Sequence, residues 1–241
     1  MHPIIKQYCV LVEFLGQALG KQYEIVLHDL SGDTNSIVAI VNNHISGRSL
    51  GAPLTNLALQ LIADRVYEKK NFVVDYRGIS RSNSLLRSST MFIKDDFGKL
   101  IGMLCINYDT SYFFHTMESI AQLFQMTPAL GSGTEALRQL VDLPHSNAEE
   151  TFPNSILEVV QSVLDNAAKQ AGVPIHRLTT SEKISLVEIL DSKGIFLLKG
   201  AVSEVAKQMG TSEATIYRYL TKINKSHKAS PSAHGYTPHI S

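Results

Sequence analysis

Apolar residues along the chain recur at two different periods, and the switches between them mark the elements. Residues 3–19 place Ile5, Val12, Leu15 and Leu19 on a helical stripe, with Gly20 near its end. Apolar and β-branched runs follow at 23–30 (YEIVLHDL) and 36–41 (SIVAIV), and the turn-rich SGDTN between them predicts an antiparallel hairpin. Beyond the small and polar loop NNHISGRSLGAP, Leu54, Leu57, Ala58, Leu61, Ile62 and Val66 return to the helical period. They predict one helix from about 54 to 68, with Gln60, Asp64 and Arg65 facing water. Strands at about 72–76, 84–94 and 99–107 come next, the last two joined by DDFG as a hairpin turn. The order helix, two strands, helix, three strands predicts an α+β domain whose antiparallel sheet is partly covered by helices.

A further amphipathic stretch, 112–126, puts Phe113, Met117, Ile120 and Phe124 along one side, either to close this first core or to pair with a second subunit. Residues 127–153, with Pro128, Gly131, Gly133, Pro144 and Pro153, read as a linker in which EALRQLVDL is a candidate short helix. A helix at 155–171, within a connecting segment 154–175, is bounded by Gly172 and Pro174. Thr179-x-x-Glu182 then has capping-box spacing and opens a helix that Gly194 stops. The IFLL run before Lys199 is placed to pack under the helices of residues 202–223, and the tail from Ser226 to Ser241, poor in apolar residues, is expected to be disordered.

Residues 202–223 carry the most specific pattern. Val202, Val205, Ala206 and Met209 fall at i, i+3, i+4 and i+7, and Ile216, Tyr219, Leu220 and Ile223 repeat that spacing. Ala206 is small enough to let a second helix cross closely, Gly210 supplies a permissive turn, and Ser212 can cap the second helix. The opposite face holds Ala214, Arg218, Thr221 and Lys225, flanked by Thr215, Tyr217 and Lys222. Such a face suits a major groove: Arg218 can pair with guanine, the small or methyl-bearing residues can meet a thymine methyl, and the lysines can meet phosphate. The competing readings are an ordinary helical hairpin with a solvated face and a module that binds another protein.

Charge sharpens this placement. Lys plus Arg and Asp plus Glu balance at 22 each, so the whole chain has no basic footprint. Residues 1–150 nevertheless hold 12 basic and 15 acidic side chains, whereas 176–228 hold 9 and 5, which concentrates positive charge around the candidate DNA reader. No apolar run approaches the ~18 residues needed to span a bilayer. The N-terminus lacks a secretion-type segment, and Cys9 and Cys105 form no CxxC pair or disulfide framework, so a reducing cytoplasm is expected.

For the first domain the expected chemistry is small-molecule binding between sheet and covering helix. Candidate polar positions are Asn42, Asn43, His44, Ser46 and Arg48 in the loop, and Arg87, Ser88, Ser89, Cys105 and Asn107 on the paired strands. Alternate strand residues share a face, so Arg87 and Ser89 point together, as do Cys105 and Asn107. An inward Arg87 or Arg48 would clamp a carboxylate, such as that of an amino acid. Against this, Asn, Ser and Gly in loops often serve turns, and Cys105 in an apolar strand reads as core. His28, His44 and His115 are too widely spaced for a metal site, and no hydrolase elbow, GK(S/T) phosphate loop, zinc-protease helix or dinucleotide fingerprint occurs, so neither enzyme activity nor a cofactor is expected.

The C-terminal EKISLVEILDSKGIFLLKGAVSEVAKQMGTSEATIYRYL resembles the helix-turn-helix of the YheO-like transcriptional regulators, and SIVAIVNNHISGRSLGAPLT with RSSTMFIKDDFGKLIGMLCINYD resembles the PAS-type sensory domain of that family. The resemblance implies a PAS-like five-stranded antiparallel sheet over residues 1–126 and an all-α helix-turn-helix domain over 176–225. It also implies a protein that binds double-stranded DNA in response to a small molecule. The expected mechanism is a homodimer in which ligand binding shifts the helices at 112–126 and 155–171 and so re-spaces two recognition helices.

Overall fold

The computed structural model describes residues 1–32, 36–123, 150–171 and 175–229. The N-terminal stripe forms α1 (Pro3–Leu19), opened by Pro3 and by His2 Nδ1, which accepts the Ile4 N–H. Its buried Ile5 and Val12 pack on one face of a sheet with Ile25, Leu27, Ile93, Ile101 and Leu104. Close approach depends on Gly16, where a Cβ would stand 2.3 Å from Val41 Cγ2. An alanine there would push the helix off the sheet.

The sheet contains β1 (Tyr23–Asp29), β2 (Ser36–Val41), β3 (Phe72–Ile79), β4 (Leu85–Lys94), β5 (Leu100–Asp109) and β6 (Glu150–Thr151), in the order β2-β1-β5-β4-β3-β6. All pairings are antiparallel except that of β6, which lies parallel to β3. The expected five strands are therefore six. The extra one comes from the end of the stretch read as linker, where two residues dock on an edge without any strand pattern of their own.

The other sheet face is covered by α2 (Asn56–Ala63), whose N-cap Thr55 accepts the Ala58 N–H. The single helix expected over 54–68 is broken. Arg65 adopts a left-handed φ of 51°, and a separate turn, α3 (Val66–Lys69), follows. The break swings Tyr67 edge-on to Phe92, with ring centroids 6.3 Å apart. α4 (Ser111–Leu123) leaves Phe113, Met117 and Ile120 exposed, so this stripe does not close the first core; Phe124 lies outside the described residues, as does EALRQLVDL.

The C-terminal half consists of α5 (Ile156–Ala171), α6 (Thr180–Ser192), α7 (Ala201–Gln208) and α8 (Glu213–Ala229), with short 3-10 turns at Ile175–Arg177 and Ile195–Leu197. α8 runs to Ala229, into the stretch expected to be disordered from Ser226. Val160 and Leu164 of α5 are fully buried in one cluster with Leu186, Leu190, Ile195, Val205, Ala206, Ile216 and Tyr219. α5 is thus part of the C-terminal helical core rather than a free connector. The same cluster continues through Ala58 and Leu59 of α2 to Val26, Phe92 and Met103 of the sheet. Truncating a residue such as Leu164 to alanine would cost about 2–5 kcal/mol.

Candidate nucleic-acid interface and sensor interior

The capping box forms as spaced: Thr179 Oγ1 accepts the Glu182 N–H, and the Glu182 carboxylate accepts the Thr179 N–H at 2.7 Å. These bonds hold the exposed Glu182 carboxyl below the usual carboxylate range. Ile195 and Leu198 lie buried beneath α7. At the turn Gly210 takes φ 60°, and the Thr211 N–H donates to the Ala206 carbonyl at 2.9 Å, which closes α7. Ser212 Oγ accepts the Thr215 N–H at 3.2 Å and so caps α8.

α8 buries Ile216, Tyr219 and Ile223, with Leu220 half-buried, against α6 and α7. Ser212, Ala214, Tyr217, Arg218, Thr221, Lys222 and Lys225 are exposed together, and Thr215 is half-buried. The Arg218 guanidinium carbon lies 5.8 Å from the Tyr219 ring centroid, which steadies its stem without consuming its N–H groups. Thr221 Oγ1 donates back to the Tyr217 carbonyl at 2.8 Å, so its hydroxyl is engaged by its own helix. Glu213, also exposed, complements the positive end of the helix.

Inside the sheet, strand register builds a row of polar side chains. Glu24 of β1 stands opposite Asn107 of β5, Asn107 opposite Ser88 of β4, and Ser88 opposite Tyr76 of β3. The next row is Val26, Cys105 and Thr90. Glu24 is fully buried: its carboxylate accepts from Asn107 Nδ2 at 2.8 Å and from Ser46 Oγ at 2.6 Å. Tyr76 OH is 2.7 Å from Thr90 Oγ1, which in turn is 3.2 Å from Cys105 Sγ. Burial pushes the Cys105 thiol up to about 12 and the Tyr76 phenol well above its usual range.

Arg48 closes the row. Its side chain is 2% exposed, with Nε donating to the Pro153 carbonyl at 3.3 Å and a terminal nitrogen donating to the Pro53 carbonyl. Glu150 of β6, equally buried, accepts from Thr55 Oγ1 at 2.7 Å. Desolvation raises the Glu150 carboxyl to about 7, against the downward pull of the Thr55 hydrogen bond and the Arg48 charge. His28, fully buried on the same side of β1, is held well below its usual range by desolvation and then by Arg48. Asn107 Oδ1 and His28 Nδ1 have no hydrogen-bond partner among the described residues.

The structure brings together five of the candidate ligand residues named from sequence, Ser46, Arg48, Ser88, Cys105 and Asn107. It separates the rest. Arg87 and Ser89 lie on the opposite face: Arg87 pairs with Asp75 at 2.5 Å in the open, and Ser89 Oγ accepts the Asp75 N–H. Asn42 Nδ2 donates to the Gly20 and Tyr23 carbonyls, Asn43 Nδ2 to the Arg48 carbonyl, and His44 is exposed. An inward Arg87 clamp is therefore wrong, because Leu86, Ser88, Thr90 and Phe92 are the residues of β4 that face this interior. Glu24, Thr55, Tyr76, Thr90 and Glu150 escape the sequence reading, and His28 enters it only as a metal candidate. Glu24 and His28 left a signal, two polar residues flanking Val26 on one face of an apolar strand. Among the described residues no three His, Cys, Asp or Glu side chains are grouped to hold a metal, and no helix is long and apolar enough to cross a membrane.

Residues 1–125 match a family model described as the YheO-like PAS domain, and residues 159–221 match one described as an HTH domain. Over 220 residues the chain is 28% identical to YheO of Escherichia coli (strain K12), covering 91% of this chain and 85% of that protein. A Haemophilus influenzae protein is 26% identical over 224 residues, 92% of each chain. The transcriptional regulator DauR of Pseudomonas aeruginosa is 23% identical over 223 residues, 92% of this chain and 96% of that one.

Proposed function

The chain belongs to the YheO-like PAS domain family and carries a helix-turn-helix behind that domain, and from this we propose that it regulates transcription by binding operator DNA as a small-molecule-responsive homodimer. The observation that carries the reading is the outer face of α8, where Ala214, Arg218, Thr221, Lys222 and Lys225 are exposed while Ile216, Tyr219 and Ile223 fix the helix from behind. Inserted into a major groove, Arg218 would read a base edge and Lys222 and Lys225 would meet phosphate. The regulator name carried by DauR supports the same reading.

Dimerisation gives the exposed apolar residues a use. Val10 and Phe14 of α1 and Phe113, Met117 and Ile120 of α4 are all exposed, as a surface awaiting a second copy would be. A two-fold dimer sets its recognition helices about 34–36 Å apart, or a multiple, and so calls for two half-sites. For the signal, the polar row favours an amino acid over a simple carboxylate. A lone carboxylate would face Glu24, whereas a zwitterion can offer its ammonium group to Glu24 and Asn107 Oδ1 and its carboxylate to Arg48.

Selection of genomic fragments on the full-length protein tests the DNA reading. Recovery of a two-half-site sequence whose affinity falls with salt supports it; binding indifferent to duplex DNA and to salt points instead to a protein partner for the helical module. A thermal-shift screen of amino acids and small carboxylates tests the sensor.

A further inference from the structure

Residues 150–154 connect the sensor sheet to α5, and residues 47–56, which roof the polar row, hold them at several points. Arg48 Nε donates to the Pro153 carbonyl, Thr55 Oγ1 donates to Glu150, the Thr151 N–H donates to Asn56 Oδ1 at 2.9 Å, and Asn154 Nδ2 donates to the Gly47 carbonyl at 2.8 Å. Phe152 is buried against Ile45 and Leu86. By contrast β6 itself is only two residues long and pairs with an edge strand. Its attachment therefore rests on these side-chain bonds more than on a ladder. A few residues on, Glu158 pairs with Arg81 across the surface, and Val159 and Val160 enter the reader's core.

We propose that residues 150–154 are a releasable strap: Arg48 holds them to the sensor interior, and a ligand that engages Arg48 frees the strap and with it the first turn of α5. This rests on the amino-acid sensor reading and gives its regulation a route. α4, the other helix expected to transmit the signal, presents its apolar residues Phe113, Met117 and Ile120 to the exterior instead. The strap joins the two functions within one buried group, since the guanidinium that would meet a ligand carboxylate is the one bonded to Pro153. A ligand carboxylate would compete with that carbonyl for the same donors, and a charged acceptor is the stronger one. Losing the bond leaves Pro153 able to turn to water, while α5 beyond its first turn keeps its packing, with Val163 and Leu164 buried.

Hydrogen exchange on the full-length protein tests this without knowledge of the operator. Arg48→Lys keeps the charge but cannot span both proline carbonyls; exchange across 150–154 and into 156–160 is expected to rise at least about tenfold, with β1 and β5 unchanged. Asn56→Ala, a milder change at a half-buried position, is expected to speed exchange at Thr151 alone by a few-fold. An equimolar mixture of proteinogenic amino acids, added to the unaltered protein, should reproduce the Arg48→Lys pattern. Uniform acceleration across the sheet in Arg48→Lys with no local effect in Asn56→Ala would overturn the strap, leaving Arg48 a core prop. A mixture that raises the melting temperature yet leaves 150–154 protected would overturn the strap and spare the sensor reading. A mixture without thermal effect would count against the amino-acid sensor, and the two variants would then decide the strap on their own.

Discussion

The sheet interior and the outer face of α8 are built from the same kinds of side chain, arginine, hydroxyls and amides, and differ in what those side chains touch. Arg48 is almost wholly buried and spends its donors on two proline carbonyls, whereas Arg218 is exposed and lies along a tyrosine ring. Glu24 gathers donors from Ser46 and Asn107, whereas Glu213 faces water. A buried polar group whose partner is removed loses the hydrogen bond and stays desolvated, while an exposed one is returned to water. The interior is therefore where sequence change should disturb folding, and the reader face is where it should disturb recognition alone.

Glu24→Ala should have the largest effect. It strands the Ser46 and Asn107 donors and leaves the Arg48 charge less compensated, so a loss of about 3–5 kcal/mol is expected in denaturant unfolding. Next comes Glu150→Gln, whose effect depends on pH. The folded carboxyl is raised to about 7, above its unfolded value, so its stabilising proton is fully present below the ordinary carboxylate range and lost as pH rises through about 7. The variant should exceed the parent by about 3 kcal/mol at pH 8, and the gap should close toward pH 4.5. Taking the difference between variant and parent matters because His28, kept neutral, works in the other direction: it loses stability as pH falls below its usual range. A gap independent of pH would mean that Glu150 does not titrate in this window.

Ala206→Leu should cost about 2 kcal/mol by forcing α7 and α8 apart, and should abolish DNA binding while hydrogen exchange in β1 and β5 stays unchanged. Lys222→Ala is expected to leave stability within ~0.5 kcal/mol and to lower the salt slope of DNA binding by about one. A large fall in melting temperature from that exposed residue would undo the contrast between the two regions.

How far each region could be read from sequence depends on the same difference in locality. The reader is made of contacts within two short helices and one turn, so Val205, Ala206, Gly210, Ser212 and Ile216 announce it by spacing alone. The interior is assembled across strands. Both faces of β4 carry apolar residues, Leu86 and Phe92 on one side and Met91 and Ile93 on the other, and the period by itself does not decide whether Arg87 or Ser88 points inward. Nothing local distinguishes Arg65 as a helix break, because the left-handed arginine goes with a contact distant in sequence, Tyr67 on Phe92. Glu150 is out of reach for a similar reason. It belongs to a two-residue strand held by the edge of β3 and by Thr55, both distant in sequence.

Equilibrium binding of a selected genomic duplex and its scrambled counterpart, to the full-length protein and to Arg218→Ala, measures whether α8 reads DNA for a YheO-like regulator. The expected result is discrimination by the unaltered protein that shrinks by about 1–3 kcal/mol in the variant, with an unchanged melting temperature. Equal discrimination by a correctly folded Arg218→Ala protein would contradict it.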